Sequence, residues 1–205
     1  MTARPILFSG PMVRALLEGR KTQTRRVIKF KPWHQIEERD DGKPWPWMYD
    51  DDNSADCWVP CPYGQPGDLL WVREKWAPQA DCEASAERWN SERTGPKPLL
   101  HFAADQDADP WISKWRPSIH MPRWASRLTL RITDVRVQRL ADISEADAIA
   151  EGITLPPGPG YGPIVRSTFT VLWDSINGQG SFDSSPWIWA LTFDVIKANV
   201  DQVSQ

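Results

Sequence analysis

The chain has 205 residues, of which 40% are hydrophobic and 25% charged, and its formal net charge is -3. This composition is typical of a globular protein, 205 residues suffice for one well-buried domain, and no run of about 20 apolar residues predicts a membrane span. The weak negative charge excludes binding of nucleic acid through overall basicity, so such a role requires a local cationic patch. The N-terminal apolar run breaks at Ser9 and Gly10, which argues against a signal peptide and favours a cytoplasmic protein.

The first third of the chain predicts a strand, a helix and a second extended segment. Residues 5–8, Pro-Ile-Leu-Phe, favour a short strand, and Ser9 is suited to cap the helix that follows. Gly19 follows the apolar stripe of this helix, and glycine commonly ends helices. Residues 23–28 then leave the helix as an extended segment.

Two long stretches, residues 31–62 and 78–117, are rich in Pro, Trp and Asp and show no sustained period. We interpret both as irregular insertions into a single domain that spans residues 1–205. Within the second insertion, the run Leu-Leu-His-Phe-Ala-Ala favours a strand. Between the insertions, residues 68–74 predict another strand.

The second half of the chain contains the longest regular pattern. Alternation over residues 127–139 predicts a long strand with a bulge or bend at Thr133–Asp134. Further predicted elements are a helix from Ser144 that ends before Gly152, a flexible loop at 156–163, a helix over 167–177 and a closing strand over 187–196. The few helices and the strand order indicate an α+β domain around a small, mainly antiparallel β-barrel with flanking helices.

The cysteines and tryptophans leave two interpretations each. Zinc would require a fourth ligand beside Cys57, Cys61 and Cys82, and their spacing matches no common finger, so we interpret them as free thiols. Many of the 13 tryptophans lie in the irregular segments. They either supply these segments with a core or act as stacking platforms for bases, and packing should account for most of them.

Several motifs in order carry a resemblance to a known family. These motifs are a helix ending in LEGRKTQTRR, then YGQPGDLLWVREKW, HMPRWASRLTLRITDVRVQRL, ISEADAIAEGI and LWDSINGQGSFDSSPWIWALTF. Together they resemble the ASCH family of PUA-like barrels, in particular its longer members, which are common in bacteriophage and prophage genomes. The resemblance implies a PUA-like β-barrel with a cleft associated with RNA or modified-nucleobase recognition.

One branch of this family comprises amidohydrolases that remove the acetyl group from N4-acetylcytidine, with no metal and no organic cofactor. Its active-site pattern is a Lys and a Thr after the first helix and a Glu on a following strand, which Lys21, Thr24 and Glu74 match. Lys21 would deprotonate Thr24 once burial or neighbouring cations lower its pKa, and Glu74 would protonate the departing amine. The alternatives are that Lys21 is an exposed lysine and that Glu74 pairs with Arg73, Lys75 or a basic residue of 20–26.

Further residues are candidates for binding the substrate or nucleic acid. Arg25 and Arg26 point in opposite directions on an extended segment, so one should face the ligand while the other pairs with an acid. The remaining candidates are Arg20 beside the proposed cleft, Tyr63 in a turn that borders it, Trp71 beside Glu74, and Arg123 with Trp124 at a nucleic-acid edge.

Three functions of different classes remain open. The first is hydrolysis of an amide on a modified nucleoside, with N4-acetylcytidine as the reference substrate. The second is a non-catalytic module that binds RNA or a modified base in the same cleft. The third is a phage or prophage accessory protein whose insertions engage a host protein.

Overall fold

The computed structural model describes residues 2–50, 55–79, 82–92, 94, 97–105, 112, 114–154 and 162–203. It is an α+β structure with mixed sheets and a few helices. The elements in chain order are β1 (Ala3–Leu7), α1 (Gly10–Leu17), β2 (Gln23–Val27), β3 (Gln35–Glu38), β4 (Pro44–Asp50), β5 (Ala55–Trp58), β6 (Leu69–Arg73), β7 (Trp76–Pro78), α2 (Glu83–Ser91), β8 (Leu100–Phe102), β9 (Thr129–Arg139), α3 (Glu145–Ala150), α4 (Gly162–Asn177), β10 (Trp187–Ile196) and α5 (Val200–Val203).

The chain divides into two compact units. Unit 1 contains residues 1–19, 67–131 and 194–205, and unit 2 contains residues 20–66 and 132–193. The expectation of a single domain with insertions stays a prediction. Each unit is described separately below.

In unit 1, β6 lies between β1 and the start of β9. β1 is parallel to β6 with Ala3 opposite Leu69, and β6 is antiparallel to β9 with Leu70 opposite Leu130. All five residues of β1 have partners, and buried side chains fill most of β6, as expected for a strand with neighbours on both sides. A separate pair, β7 with β8, packs against a cluster of buried residues that contains Trp76, Met121, Trp124 and Ala125.

In unit 2, β10 lies between β9 and β2, and β10 is antiparallel to β2 with Leu191 opposite Thr24. Helices α3 and α4 supply one hydrophobic cluster with β10, which includes Ala148, Phe169 and Ile188. α3 begins where the sequence predicts, because the Ser144 hydroxyl accepts a hydrogen bond of 3.1 Å from the Asp147 amide. This cap fixes the start of the helix whose last turn supplies part of the candidate site.

The five predicted strands near 5–8, 23–28, 68–74, 127–139 and 187–196 are all present as β1, β2, β6, β9 and β10. The helices at the N-terminus, after Ser144 and before Gly178 are present as well, and the last one starts earlier than predicted, at Gly162. Along β9, burial changes from the even positions Leu130 and Ile132 to the odd position Val137, which agrees with the predicted change of phase. Among the described residues, the strand pairings form sheets without a closed barrel.

The two stretches interpreted as irregular contain regular structure. Residues 31–62 include the antiparallel sheet β3-β4-β5, in which Trp47 lies opposite Trp58. The alternation Pro44-Trp45-Pro46-Trp47 has a period of two, but proline argues against a strand, so the sequence pattern hides it. In the second stretch the expected strand is present as β8, and α2 is an additional helix that the sequence analysis missed.

Three expectations have separate outcomes. The loop predicted at 156–163 lies largely outside the described residues, apart from the first two positions of α4. Cys57, Cys61 and Cys82 are free thiols. Within the described part of the chain, no helix has the length and apolar character needed to cross a membrane.

Candidate functional site

A buried ion pair between Lys21 and Glu151 is the centre of the candidate site in unit 2. The Lys21 amine donates hydrogen bonds to Glu151 Oε2 at 2.6 Å and to the Glu151 carbonyl oxygen at 3.0 Å. The Lys21 side chain is 0% exposed and the Glu151 side chain 5% exposed. An isolated antiparallel bridge between the same two residues brings the segment before β2 against the end of α3.

Arg25 is a second buried cation on the same carboxylate. Its Nη1 donates to Glu151 Oε1 at 3.0 Å, and its Nη2 lies 3.2 Å from Asp147 Oδ2. The same Nη2 donates to Gln23 Oε1 at 3.2 Å, and the guanidinium lies 6.0 Å from the ring centre of Phe169. Each oxygen of Glu151 thus accepts a hydrogen bond from a different cation.

Glu151 is a residue of the candidate site that the sequence analysis missed. It is the C-cap of α3, where the partial negative charge of the helix end disfavours a carboxylate. The cations Lys21 and Arg25 offset this cost, so Glu151 is held by tertiary contacts and not by its helix. An acid at the predicted end of a helix, in Ala-Ile-Ala-Glu-Gly, is the sequence signal that could have revealed it.

The surroundings of Lys21 act on its pKa in opposite directions. Burial lowers the pKa of the Lys21 amine most strongly, and the charge and hydrogen bond of Glu151 oppose this, while Arg26 and Arg25 lower it further. The sequence analysis names burial and neighbouring arginines as the causes that a basic lysine requires. The structure has both causes, together with the carboxylate of Glu151, which opposes them.

Thr24 lies three residues after Lys21, on the second position of β2, and is 3% exposed. Side chains alternate along a strand, so Thr24 and Arg26 share one face of β2 while Gln23 and Arg25 share the other. The charges of both Arg25 and Arg26 act on the Lys21 amine. Because Thr24 is buried, a substrate can reach its hydroxyl only if neighbouring side chains move.

Three of the predicted binding residues also belong to unit 2. Arg26 and Tyr63 lie close enough to influence each other: burial lowers the pKa of Arg26 and raises that of Tyr63, and their mutual attraction opposes both shifts. Arg20 donates to the Gly152 carbonyl oxygen at 2.6 Å, immediately after Glu151. As predicted for the Arg25–Arg26 pair, one arginine, Arg25, pairs with acids.

Glu74 belongs to unit 1, where it has its own partner. Arg127 binds its carboxylate with two hydrogen bonds of 2.8 and 3.0 Å, and Arg127 also lies 2.6 Å from Asp105 Oδ2. Glu74 is 1% exposed, and burial raises the pKa of its carboxyl while Arg127 opposes the rise. The expected direction of the pKa shift is correct, but Arg127 is the cation that pairs with Glu74, whereas the sequence analysis names Arg73, Lys75 or residues 20–26.

Of the other predicted binding residues of unit 1, the two tryptophans are buried and the arginine is at the surface. Trp71 is 8% exposed in a cluster with Leu69 and Val200. Trp124 is 4% exposed and makes an edge contact with Trp76, at 6.1 Å between ring centres. The third residue, Arg123, forms an exposed ion pair of 2.8 Å with Asp201. Buried rings of this kind have little surface on which a base could stack.

The arrangement in unit 2 has a defined chemical capacity. Three cations, Lys21, Arg25 and Arg26, act around two carboxylates, those of Glu151 and Asp147, so the centre favours a ligand with a polarised or negative oxygen. The Lys21 amine, whose pKa burial lowers, contacts the Glu151 carboxylate at 2.6 Å in a buried place. In its neutral form the amine is a base that could activate a hydroxyl.

No protein-family model and no curated protein matches the chain. Among solved structures, the chain is similar to protein EF3133 from Enterococcus faecalis V583, described with the family model DUF984, at 12% identity and a TM-score of 0.38. The similarity covers 98% of this chain and 83% of the other. At this level it assigns neither a family nor a function.

Proposed function

We propose that the protein is a nucleoside-binding member of the ASCH family with a PUA-like barrel, and that it deacylates a modified nucleoside such as N4-acetylcytidine. The observation that carries the proposal is the buried contact of 2.6 Å between Lys21 and Glu151. Lys21 lies three residues before Thr24 in the sequence. The sequence motif supplies the lysine and threonine. The structure adds the carboxylate at this centre.

The proposed reaction has three proton transfers among Lys21, Thr24, Glu151 and the substrate. The Lys21 ammonium passes a proton to Glu151, and the neutral amine then takes the proton of the Thr24 hydroxyl. The Thr24 oxygen forms a bond to the acetyl carbon, the bond from carbon to N4 breaks, and Glu151 returns its proton to N4. Water then hydrolyses the acetyl-threonine ester and releases acetate.

In this proposal Glu151 takes the role that the sequence analysis gives to Glu74. The carboxylate of Glu74 accepts two hydrogen bonds from Arg127, and an arginine stays protonated. Glu151 instead contacts a lysine, the cation that could lose a proton to it in this proposal. Glu74→Gln is therefore the matched control for Glu151→Gln.

The test is release of cytidine and acetate from N4-acetylcytidine, followed by liquid chromatography with a panel of other acylated nucleosides. Wild type should turn over at least one of these compounds, and Thr24→Ala should remove nearly all of that activity. Thr24→Ser retains a hydroxyl and should retain part of it. Glu151→Gln should lose much more activity than Glu74→Gln, and equal losses would contradict the assignment of Glu151.

The burial of Thr24 favours a second function, a non-catalytic module that binds RNA or a modified base. In that case wild type binds the nucleoside or RNA without turnover, and Arg26→Ala weakens the binding. The salt dependence of affinity then reports any contact with phosphate. A protein with neither turnover nor nucleic-acid binding would leave the interaction with a host protein as the remaining function.

A further inference from the structure

An open depression on unit 1 is distinct in its residues from the Lys21 centre. It encloses about 560 Å³ and is lined by Lys114, Trp115, Arg116, Pro117 and His120. This volume is within the range of about 300–1,000 Å³ that is usual for small-molecule sites. The depression is therefore large enough for one nucleotide unit.

Among the described residues, the ionisable side chains that line the depression are basic, in contrast to the negative net charge of the whole chain. The chain has a net charge of -3, yet the described residues that line the depression include three basic side chains and no acidic one. Lys75 adds a fourth basic side chain, because its amine lies 5.8 Å from the ring centre of Trp115. Lys75, Lys114 and His120 are exposed, so their charged or polar ends remain available to a ligand.

The segment that forms the depression is held by backbone contacts. The amide of Arg116 donates to the carbonyl oxygen of Trp76 at 2.8 Å, and the Trp76 amide donates to the Arg116 carbonyl oxygen at 3.2 Å. Trp76 itself is 2% exposed, and the Arg116 guanidinium lies 5.1 Å from its ring centre. The half-buried Trp115 therefore directly precedes Arg116, whose backbone is hydrogen-bonded to the buried Trp76.

We propose that this depression binds a nucleoside phosphate unit of single-stranded nucleic acid. The base stacks on the indole of Trp115, and the phosphate lies among the amines of Lys75 and Lys114 and the guanidinium of Arg116. An aromatic ring beside cations is the combination that single-strand binding uses, since each base offers a stacking face and each phosphate a negative charge. Duplex is disfavoured because its bases are already stacked.

This site goes beyond the proposed function, since it involves none of the residues of the Lys21 centre. It would hold a strand whether or not the protein acts on a modified base. A free nucleotide also carries a base and a phosphate, so the experiment must distinguish a free nucleotide from a nucleic-acid strand as the ligand. An acidic protein segment would use the cations but not the stacking face of Trp115.

The experiment is fluorescence anisotropy with a labelled ten-nucleotide oligouridine strand, at several salt concentrations, with uridine 5′-monophosphate and uridine as competitors. Trp115→Ala should weaken binding about 5- to 150-fold, because stacking is worth about 1–3 kcal/mol per base. Trp115→Phe retains a ring and should lose less. The double variant Lys75→Ala/Lys114→Ala should reduce the slope of log affinity against log salt by about 0.7 for each phosphate that these lysines no longer neutralise.

Trp33→Ala is the matched control, because Trp33 is 55% exposed and has the Lys31 amine 5.4 Å from its ring centre, but belongs to unit 2. It should leave binding unchanged. Displacement of the strand by uridine 5′-monophosphate at low concentration would identify the free nucleotide as the source, and weak displacement would identify the strand.

Four results would overturn the site. The first is that neither the strand nor the nucleotide binds, and the second is that folded Trp115→Ala binds the strand as tightly as wild type. The third is that Trp33→Ala loses as much affinity as Trp115→Ala. The fourth is that Trp115→Phe loses as much affinity as Trp115→Ala. If Trp115→Ala does not fold by circular dichroism, the exposed substitution Lys114→Glu replaces it and should weaken binding at low salt. Turnover of N4-acetylcytidine is measured separately from strand binding, so failure of this site and failure of the deacylation proposal remain distinguishable.

Discussion

Lys21 and Glu151 are separated by 130 positions in the sequence, yet their side chains meet at 2.6 Å with 0% and 5% of their surface exposed. A buried charge that loses its partner is strongly destabilising, typically by about 3–5 kcal/mol. Arg25 shares the same carboxylate, so Glu151 compensates two buried cations. The stability of unit 2 should therefore depend on this one acid.

The first prediction follows from that pair. Glu151→Gln should lower the free energy of unfolding by about 3–5 kcal/mol, because Lys21 and Arg25 would remain buried with less negative charge. The measurement is urea unfolding at neutral pH. The matched control is Glu37→Gln, an exposed acid of β3 in the same unit, which should change stability by no more than about 0.5 kcal/mol.

A double variant tests whether the loss comes from the charge of Lys21. Lys21→Met removes that charge while retaining much of the side-chain volume, so Lys21→Met/Glu151→Gln should be more stable than Glu151→Gln alone. Methionine is used because alanine would leave a cavity at a fully buried position. A double variant with a loss equal to the sum of the two single losses would contradict the coupling.

The second prediction concerns Arg127 in unit 1. Its side chain is 24% exposed, whereas that of its partner Glu74 is 2% exposed. Arg127→Ala should cost about 3–5 kcal/mol, because the Glu74 carboxylate would stay buried without its two charged hydrogen bonds. Arg127→Lys should fall between wild type and Arg127→Ala, since an ammonium cannot form the paired contact.

The control for Arg127 is its other partner. Asp105 has a side chain that is 41% exposed, so Asp105→Asn should cost only about 0–1 kcal/mol. A double-mutant cycle between Arg127→Ala and Glu74→Gln should give a coupling energy clearly larger than the cycle with Asp105→Asn. Equal coupling in the two cycles would show that burial does not decide the strength of these contacts.

The third prediction is a pH dependence in unit 2. Burial raises the pKa of the Asp147 carboxyl, but the hydrogen bond from Gln23 and the charges of Arg25 and Arg136 outweigh it, so the pKa is lower than its ordinary value of 3.8. A carboxylate with a lowered pKa stabilises the fold above its unfolded value, and this contribution is lost as pH falls through the folded value. The stability difference between wild type and Asp147→Asn should therefore shrink below about pH 4.

The measurement for Asp147 is urea unfolding between about pH 3 and pH 7. Asp40→Asn is the control, because Asp40 is an exposed carboxylate in a turn of the same unit. A difference for Asp147→Asn that stays constant, or grows, as pH falls would contradict the sign of the shift.

The fourth prediction concerns catalysis and rests on the proposed deacylation. Lys21→Met and Thr24→Ala should each remove nearly all turnover, and the double variant should be little worse than either, because the two residues act as one nucleophilic unit. Glu151→Gln should reduce turnover by about 10²–10⁴-fold, the usual contribution of general acid–base catalysis. Additive losses for Lys21 and Thr24 would indicate separate roles.

The positions of five strands could be predicted from the sequence, because β1, β6, β9 and β10 carry local hydrophobic patterns and β2 follows the end of the first helix as an extended segment. β4 could not, since its alternating prolines conceal a period-two pattern that only its pairing with β3 and β5 reveals. The local sequence pattern also failed to predict α2. Among the described residues of this helix, Ala86 is the apolar residue that is fully buried.

The same limit applies to the candidate site. Lys21 and Thr24 stand in one short motif, but Thr24 lies on the face of β2 opposite Arg25, the residue that shares Glu151 with Lys21. Glu151 comes near Lys21 only because α3 contacts the segment before β2. Glu74 lies in a motif that matches the family order, but order along the chain does not show which cation a carboxylate meets, and Arg127 is that cation.

The separation of Lys21 and Glu151 also constrains how the protein forms during synthesis. The ribosome synthesises Lys21 130 residues before Glu151, so the Lys21 amine cannot form this ion pair until α3 has been made. Closing so long a loop is slow compared with forming a helix. Nascent or truncated chains that end before residue 144 would therefore contain Lys21 and Thr24 but not Glu151. In such chains Lys21 and Arg25 would still be exposed to water when chaperones bind.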